Sequence, residues 1–265
     1  MQIRHQQIII LFVIVLSLFW HVNFISAQEI KVVDNPLTLM TFNIRVNTAK
    51  DTGDRAWENR RDKVINQIKK ADIIGLQEVS YTQLSYLLDH LDGYAYVGEG
   101  RSGGNLGEFN PIFYKTSKYT VLESNTFWLS HGRIPRIVTW AKFQNGADEF
   151  YIFNTHLSKS NTSRNNSVKK IIKKVNKLSS NTLAFLMGDF NSKPSSKTYS
   201  LLTKHYLDVN KLAIHHGPKK TFTGWMVAKK RLDYIFVNYK FNIKSSSTIK
   251  TKASDHYPVL IKSKQ

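Results

Sequence analysis

Short apolar runs and amphipathic helical stripes alternate along the whole chain, and this interleaving limits the fold more than any other feature. "LTLMTFNI" (37–44) has the alternation of a core strand, and "ADIIGLQEV" (71–79) is a short buried one. Between them a helix over 58–70 carries Val64, Ile65 and Ile68 on one face. Leu84, Leu87, Leu88 and Leu91 fall at i, i+3, i+4, i+7 and predict a second helix. "NPIFYK", "NTFWLS" and "RIVTWAKF" predict consecutive antiparallel strands, followed by "EFYIFNTHL" (149–157). A helix then sets Val168, Ile171, Ile172, Val175 and Leu178 on one stripe, with lysines on its other faces. Strand 183–188, a helical stretch near 196–207, and strands near 221–225, 232–238 and 256–262 complete the pattern. Strands outnumber helices, with no repeat, linker or low-complexity segment. One α/β (α+β) domain of two packed sheets with helices outside satisfies this order.

The N-terminus belongs to a different class. Arg4, the apolar "IIILFVIVLSLFW" and the small-residue "ISAQ" have the layout of a signal peptide over 1–27. The apolar run is short for a membrane span. The expected mature domain is therefore 28–265, secreted to an extracellular or periplasmic space, with no transmembrane anchor after leader removal and no stable protein partner implied. The chain has no cysteine, which excludes a disulfide framework, a zinc–thiolate site and a thiol nucleophile.

Charge is the most unusual bulk property. The formal net charge is +19, and from Lys159 onward there are 22 Lys and Arg against four Asp and no Glu. Lys159, Arg164, Lys169, Lys170, Lys219, Lys220, Lys229, Lys230 and Arg231 are basic residues suited to an anionic partner such as nucleic acid or phospholipid. High lysine content also serves solubility alone, so charge does not choose among partners.

The few carboxylates of this basic half are placed unusually. In "LMGDFNSKP" an apolar run stops at a glycine, and Asp189 and Asn191 follow. Asp233 opens "DYIFV", and Asp255 precedes His256 ahead of "YPVLI". Upstream, Asn43 ends "LMTF", Glu78 follows "IIGLQ" and His156 follows "YIFNT". A strand-end Asp is most often a turn or cap residue. Strand ends in a sheet protein converge on one rim, however, so as a set these groups are expected to meet in a cleft. Clustered carboxylates need a cation to offset repulsion and desolvation. Oxygen ligands without thiolate suit Mg²⁺, Mn²⁺ or Ca²⁺. Hard cation, base and proton donors together are what phosphoester hydrolysis requires.

The ordered landmarks "TFNIR", "DIIGLQEV", "GEFNPIFY", "TFWLS", "RIVTWAKF", "FNTHL", "GDFNSKP", "RLDYIFV" and "SDHYPV" resemble the endonuclease/exonuclease/phosphatase superfamily, in particular its secreted bacterial metal-dependent hydrolases. The resemblance runs from about Leu37 to Ile261. It implies a four-layer αββα sandwich of two packed mixed β-sheets with outer helices. It also implies site roles. Glu78 would be the main metal ligand, with Asn43 and Asp255 close by. Asp189 would activate water, and Asn191 would hold that water or a phosphoryl oxygen. His256 would stabilise the transition state or protonate the leaving oxygen, its tautomer fixed by Asp233. His156 would be a second phosphate-facing histidine paired with Glu108, and Arg136 would contact phosphate. Trp57 and Trp225 would either line the cleft or be buried.

The substrate implied is a phosphoester, with nucleic acid leading and lipid headgroups, sugar phosphates or inositol phosphates as the alternative. A binding module that has lost catalysis is a third reading, opposed by the joint presence of the residues above. Ser158 after "NTHL", the loop "GRSGG" and the short link "HGRIP" depart from the superfamily pattern. All three border the expected cleft, where substrate is selected.

Overall fold

The computed structural model describes residues 30–31, 34–130 and 134–263. The expected leader, 1–27, and residues 131–133 of the "HGRIP" link lie outside these. In chain order the strands are β1 (Ile30–Lys31), β2 (Thr38–Asn43), β3 (Ile73–Gln77), β4 (Tyr94–Val97) and β5 (Ile112–Lys115). Next come β6 (Thr120–Ser130), β7 (Arg136–Asn145), β8 (Asp148–His156), β9 (Leu183–Asp189) and β10 (Leu207–Asp208). The last are β11 (His215–His216), β12 (Asp233–Val237), β13 (Lys240–Phe241), β14 (Ile243–Thr248) and β15 (Val259–Ser263). The α-helices are α1 (Trp57–Ile68), α2 (Tyr81–His90), α3 (Asn161–Leu178) and α4 (Lys197–Thr203). Serines start three of the four: Ser80 forms a capping box with Gln83, and Ser160 and Ser196 accept from the first turns of α3 and α4.

Two mixed sheets result, in the spatial orders β11-β14-β15-β2-β3-β5-β4 and β10-β12-β9-β8-β7-β6. Leu39, Ile73, Phe143, Ile152, Phe185, Met187 and Ile261 fill the space between them. Met40, Phe42, Val64, Ile68, Leu84 and Leu87 seal the first sheet against α1 and α2. Phe153, Val168, Ile171, Leu186, Leu202 and Phe236 seal the second against α3 and α4. These three apolar layers make the four-layer αββα sandwich. A strand covered on both faces reads as a continuous apolar run, which is why "IIGLQ" and "LAFLMG" lack alternation.

Each sheet has a parallel pair in its interior, β2 with β3 and β8 with β9. Their last rungs are Asn43 opposite Gln77 and His156 opposite Asp189. Gly188 permits the second rung, since its φ is +146° and an added Cβ would lie 1.9 Å from the Thr155 carbonyl oxygen. At the same end a polar bridge joins the sheets. Asn154 of β8 donates to the carbonyls of Leu76 (2.8 Å), Pro111 (3.0 Å) and Asn110 (3.1 Å) and accepts from Gln77 Nε2 at 2.7 Å. Gly75 leaves room for it, because a Cβ there would approach Asn154 Cγ to 2.7 Å.

Three sequence expectations are corrected. Residues 221–225 form no strand, only isolated bridges from Phe222 to Lys230 and His256. Leu88 is 41 % exposed on α2, while Leu84, Leu87 and Leu91 are buried. The final strand starts at Val259, after Asp255 and His256 have left the sheet for a turn. Among the described residues no helix is long and apolar enough to cross a membrane.

Asn154→Ala strips a donor from three buried carbonyls and a partner from Gln77. Urea unfolding should show a loss of about 2–4 kcal/mol. Gly188→Ala should lose more, and an unfolding midpoint within error of wild type for either would contradict the bridge and the rung.

Candidate active site

The site forms where strands from both sheets end. Asn43 closes β2, Glu78 follows β3, His156 closes β8, Asp189 closes β9, Asp233 opens β12, and Asp255 and His256 precede β15. Among the described residues four non-glycine residues have left-handed backbone: Arg45 (φ +59°), Glu78 (+59°), Asn191 (+48°) and Trp225 (+67°). Three of these lie just beyond the strands that deliver the site. Such conformations are held only where surrounding contacts over-determine them.

Asp189 is the meeting point. Its Oδ2 accepts from Asn43 Nδ2 of the opposite sheet at 3.1 Å, and lies 3.6 Å from His156 Nε2 and 3.8 Å from His256 Nε2. Its Oδ1 accepts from the Asn191 backbone N–H at 2.8 Å. His256 Nδ1 lies 2.9 Å from Asp233 Oδ2. Asn191 Nδ2 donates to the Leu157 carbonyl at 2.9 Å and stands 3.0 Å from His156 Nε2. That ring nitrogen accepts in this arrangement, so the proton of neutral His156 is on Nδ1.

The two histidines carry opposite charge states. Burial alone would lower His256, but Asp233 at hydrogen-bond distance, together with Asp189 and Asp255, raises it from 6.5 to about 10. Burial wins at His156, which falls to about 4 despite Asp189. Near neutral pH the site therefore holds one imidazolium and one imidazole. Asp189 is raised by burial and by repulsion from Asp233, partly offset by His256. Burial also pushes Glu78 up, but nearby charge and hydrogen bonds from Asn43 (3.1 Å) and the Val46 N–H (3.2 Å) bring it down to about 2. With His156 neutral, those two donors and the His256 cation are what hold the Glu78 anion at neutral pH.

Two groups of side chains suit a cation. Asp189, Asp233 and His256 have ligand atoms within 4.8 Å of one another, but the short Asp233–His256 bond already occupies two of them. Glu78 and Asp255 instead face one cavity of about 580 Å³. Among the described residues, Glu78 approaches a cationic side chain only at 4.0 Å, from Arg45, and Asp255 Oδ1 has only Ser254 Oγ at 3.4 Å. Burial and the neighbouring Glu78 raise Asp255. Carboxylates that face an open cavity fit a divalent ion better than Asp233, which is fully buried and bonded to His256.

Of the ten residues singled out from the sequence, Glu78, His156, Asp189, Asn191, Asp255 and His256 line that cavity. Asn43 and Asp233 stand behind, bonded to Asp189 and His256. Glu108 and Arg136 do not line it. The expected Glu108–His156 pair is absent: Glu108 binds Arg101 at 2.9 Å, because both lie in one Gly-rich loop, and among the described residues His156 Nδ1 is buried without a partner. Among the described residues Arg136 Nη1 reaches only the His156 carbonyl, at 3.4 Å. Trp57 and Trp225 are not in the cavity either. They lie on the buried Arg60 guanidinium, 5.2 and 5.6 Å from its centre.

Arg60 was not legible as a site residue. It donates to the carbonyls of Ile44, Arg45 (2.7 Å), Ala253 (3.1 Å) and Arg55 (2.9 Å). It thus ties the exit of β2 to the turn that bears Asp255 and His256. Arg45, which lines the cavity and pairs with Asp51 at 2.8 Å, was also missed, although it stands inside "TFNIR".

Comparison with known proteins agrees with the fold. The model of the Endonuclease/Exonuclease/phosphatase family matches residues 40–256. The chain is similar to an endonuclease/exonuclease/phosphatase from Bacteroides vulgatus, at 32 % identity and TM-score 0.82 over 87 % of this chain and 99 % of that one. It is similar to a Bacteroides thetaiotaomicron mannosyl-6-phosphatase, at 28 % identity and TM-score 0.79 over 85 % and 98 %. It also matches Protein angel of Drosophila melanogaster, at 26 % identity over 60 % of this chain, and spans about half of that relative's length.

The histidines set a pH dependence. His256 binds its proton more tightly when folded, so its stabilisation is complete below pH 6.5 and is lost as pH rises toward about 10. His156 binds more weakly when folded, so stability erodes as pH falls from 6.5 toward about 4. Thermal unfolding in EDTA should show wild-type Tm falling across the upper window, and His256→Asn should flatten that limb. Parallel alkaline limbs in the two proteins would contradict the assignment.

Proposed function

The chain belongs to the endonuclease/exonuclease/phosphatase family, whose members hydrolyse phosphoesters, and we propose that it is an exported, divalent-metal-dependent phosphodiesterase with a nuclease-type substrate. The observation that carries the chemistry is the convergence of Asp189, His256 and Glu78 on one cavity, with residues of both sheets holding Asp189.

Water attacks phosphorus in line with the scissile bond. Asp189 takes the water's proton, its buried carboxylate being raised toward the range of a useful base. Asn43 and the Asn191 N–H hold that carboxylate by one oxygen each. The new O–P bond forms as the P–O bond to the leaving group breaks, and His256 supplies the leaving oxygen's proton from Nε2 while Asp233 keeps Nδ1 engaged. Asn191 and neutral His156 flank the phosphoryl oxygens. Glu78 and Asp255 would hold the divalent ion, which supplies Lewis acidity toward the phosphoryl group. Export rests on the leader-like 1–27 segment.

A second reading, a sugar-phosphate monoesterase, is favoured by the likeness to the mannosyl-6-phosphatase over nearly all of both chains. Turnover of bis-p-nitrophenyl phosphate against mannose 6-phosphate separates the two.

With bis-p-nitrophenyl phosphate, EDTA should abolish turnover and Mg²⁺ or Mn²⁺ restore it. Asp189→Asn should lower kcat by about 10³-fold with the fold retained. Near-normal turnover by Asp189→Asn, or full activity in EDTA, would overturn the proposal.

A further inference from the structure

A second concavity, about 620 Å³, adjoins the first. Lys193, Ser195 and Lys230 line both, so one wall separates them. Its other charged lining residues are Lys211, Lys219, Lys220, Lys229 and Arg231, and among the described residues no carboxylate borders it. Arg231 is already neutralised: its guanidinium makes two bonds of 2.7 Å to the buried Asp208. The six lysines are different. All are exposed, and among the described residues none is in an ion pair. Lys211 and Lys230 merely approach aromatic rings, at 5.6 and 6.0 Å. Six ammonium groups around one hollow repel one another and focus a positive potential next to the cleft. An anion from outside the chain fits such a hollow.

We propose that this hollow is an accessory phosphate subsite: when the scissile phosphodiester occupies the cleft, a further phosphate of the same strand lies among Lys211, Lys219 and Lys220. The proposal rests on the phosphodiesterase reading above and deepens it to a substrate that carries more than one phosphate along a strand. Lys193 and Lys230, on the shared wall, carry the intervening backbone. A small diester reaches the cleft but not the hollow, so the subsite acts on affinity for the strand and leaves the chemical step alone.

The test compares wild type with the Lys211→Gln/Lys219→Gln/Lys220→Gln variant on a short single-stranded oligonucleotide and on bis-p-nitrophenyl phosphate. The variant should raise oligonucleotide KM by at least about tenfold, and the salt slope of oligonucleotide binding should shrink by about 2. Its kcat, and both constants for the small diester, should stay at wild-type values. An unchanged oligonucleotide KM, or equal loss on both substrates, overturns the subsite. Should the triple variant not fold, Lys220→Glu alone is read the same way. Oligonucleotide binding in EDTA, followed by fluorescence anisotropy, keeps the two proposals apart. If wild type turns over neither substrate, the phosphodiesterase reading fails, while the variant's binding still decides the subsite.

Discussion

The site exists because two β-sheets are held at one spacing along a single rim. Hydrophobic packing between sheets is non-directional and sets no fine alignment. Asn154 supplies the direction. Its amide crosses from the second sheet to three carbonyls and one amide of the first, at the end where the strands deliver Asn43, Glu78, His156 and Asp189. Gly75 gives it space, and Gly188 brings the Asp189 rung close to β8. The Asn43–Asp189 bond then spans the two sheets directly. Catalytic geometry tolerates only small displacement, so this polar bridge carries more of the function than its share of the core implies.

Electrostatic order follows from that alignment. Asp189 and Asp233 repel across neighbouring strands, and the His256 cation sits against both. His156, equally buried but without a hydrogen-bonded carboxylate, stays neutral. One site thereby keeps an acid and a neutral imidazole at the same pH, a separation made by neighbours and not by residue type. Arg60, held by backbone carbonyls and two indole rings, fixes the turn that brings Asp255 and His256 to this place.

Much of this was legible in the sequence because apolar runs end abruptly at polar residues. "LMGD", "IIGLQE" and "YIFNTH" mark strand exits, and strand exits converge. What was not legible has a common cause. Glu108 binds Arg101 and not His156 because the turns of the Gly-rich loop bring those two together, and no spacing rule reports them. Asn154 reads as an ordinary position in "YIFNT", yet its partners lie more than 40 residues away. Arg60 falls four residues before Val64, on the apolar face of α1, but the backbone acceptors that hold its guanidinium there leave no mark in a sequence. β14, "IKSSST", has too little apolar content to announce itself.

The proposed chemistry needs a cation held by the first sheet facing a base held by the second. Crystals soaked in Mn²⁺ and measured at the manganese absorption edge locate the ion directly. The account predicts an anomalous peak in contact with the carboxylates of Glu78 and Asp255, with Asp189 left free to meet water. A single peak seated among Asp189, Asp233 and His256, with Glu78 and Asp255 bare, would contradict it.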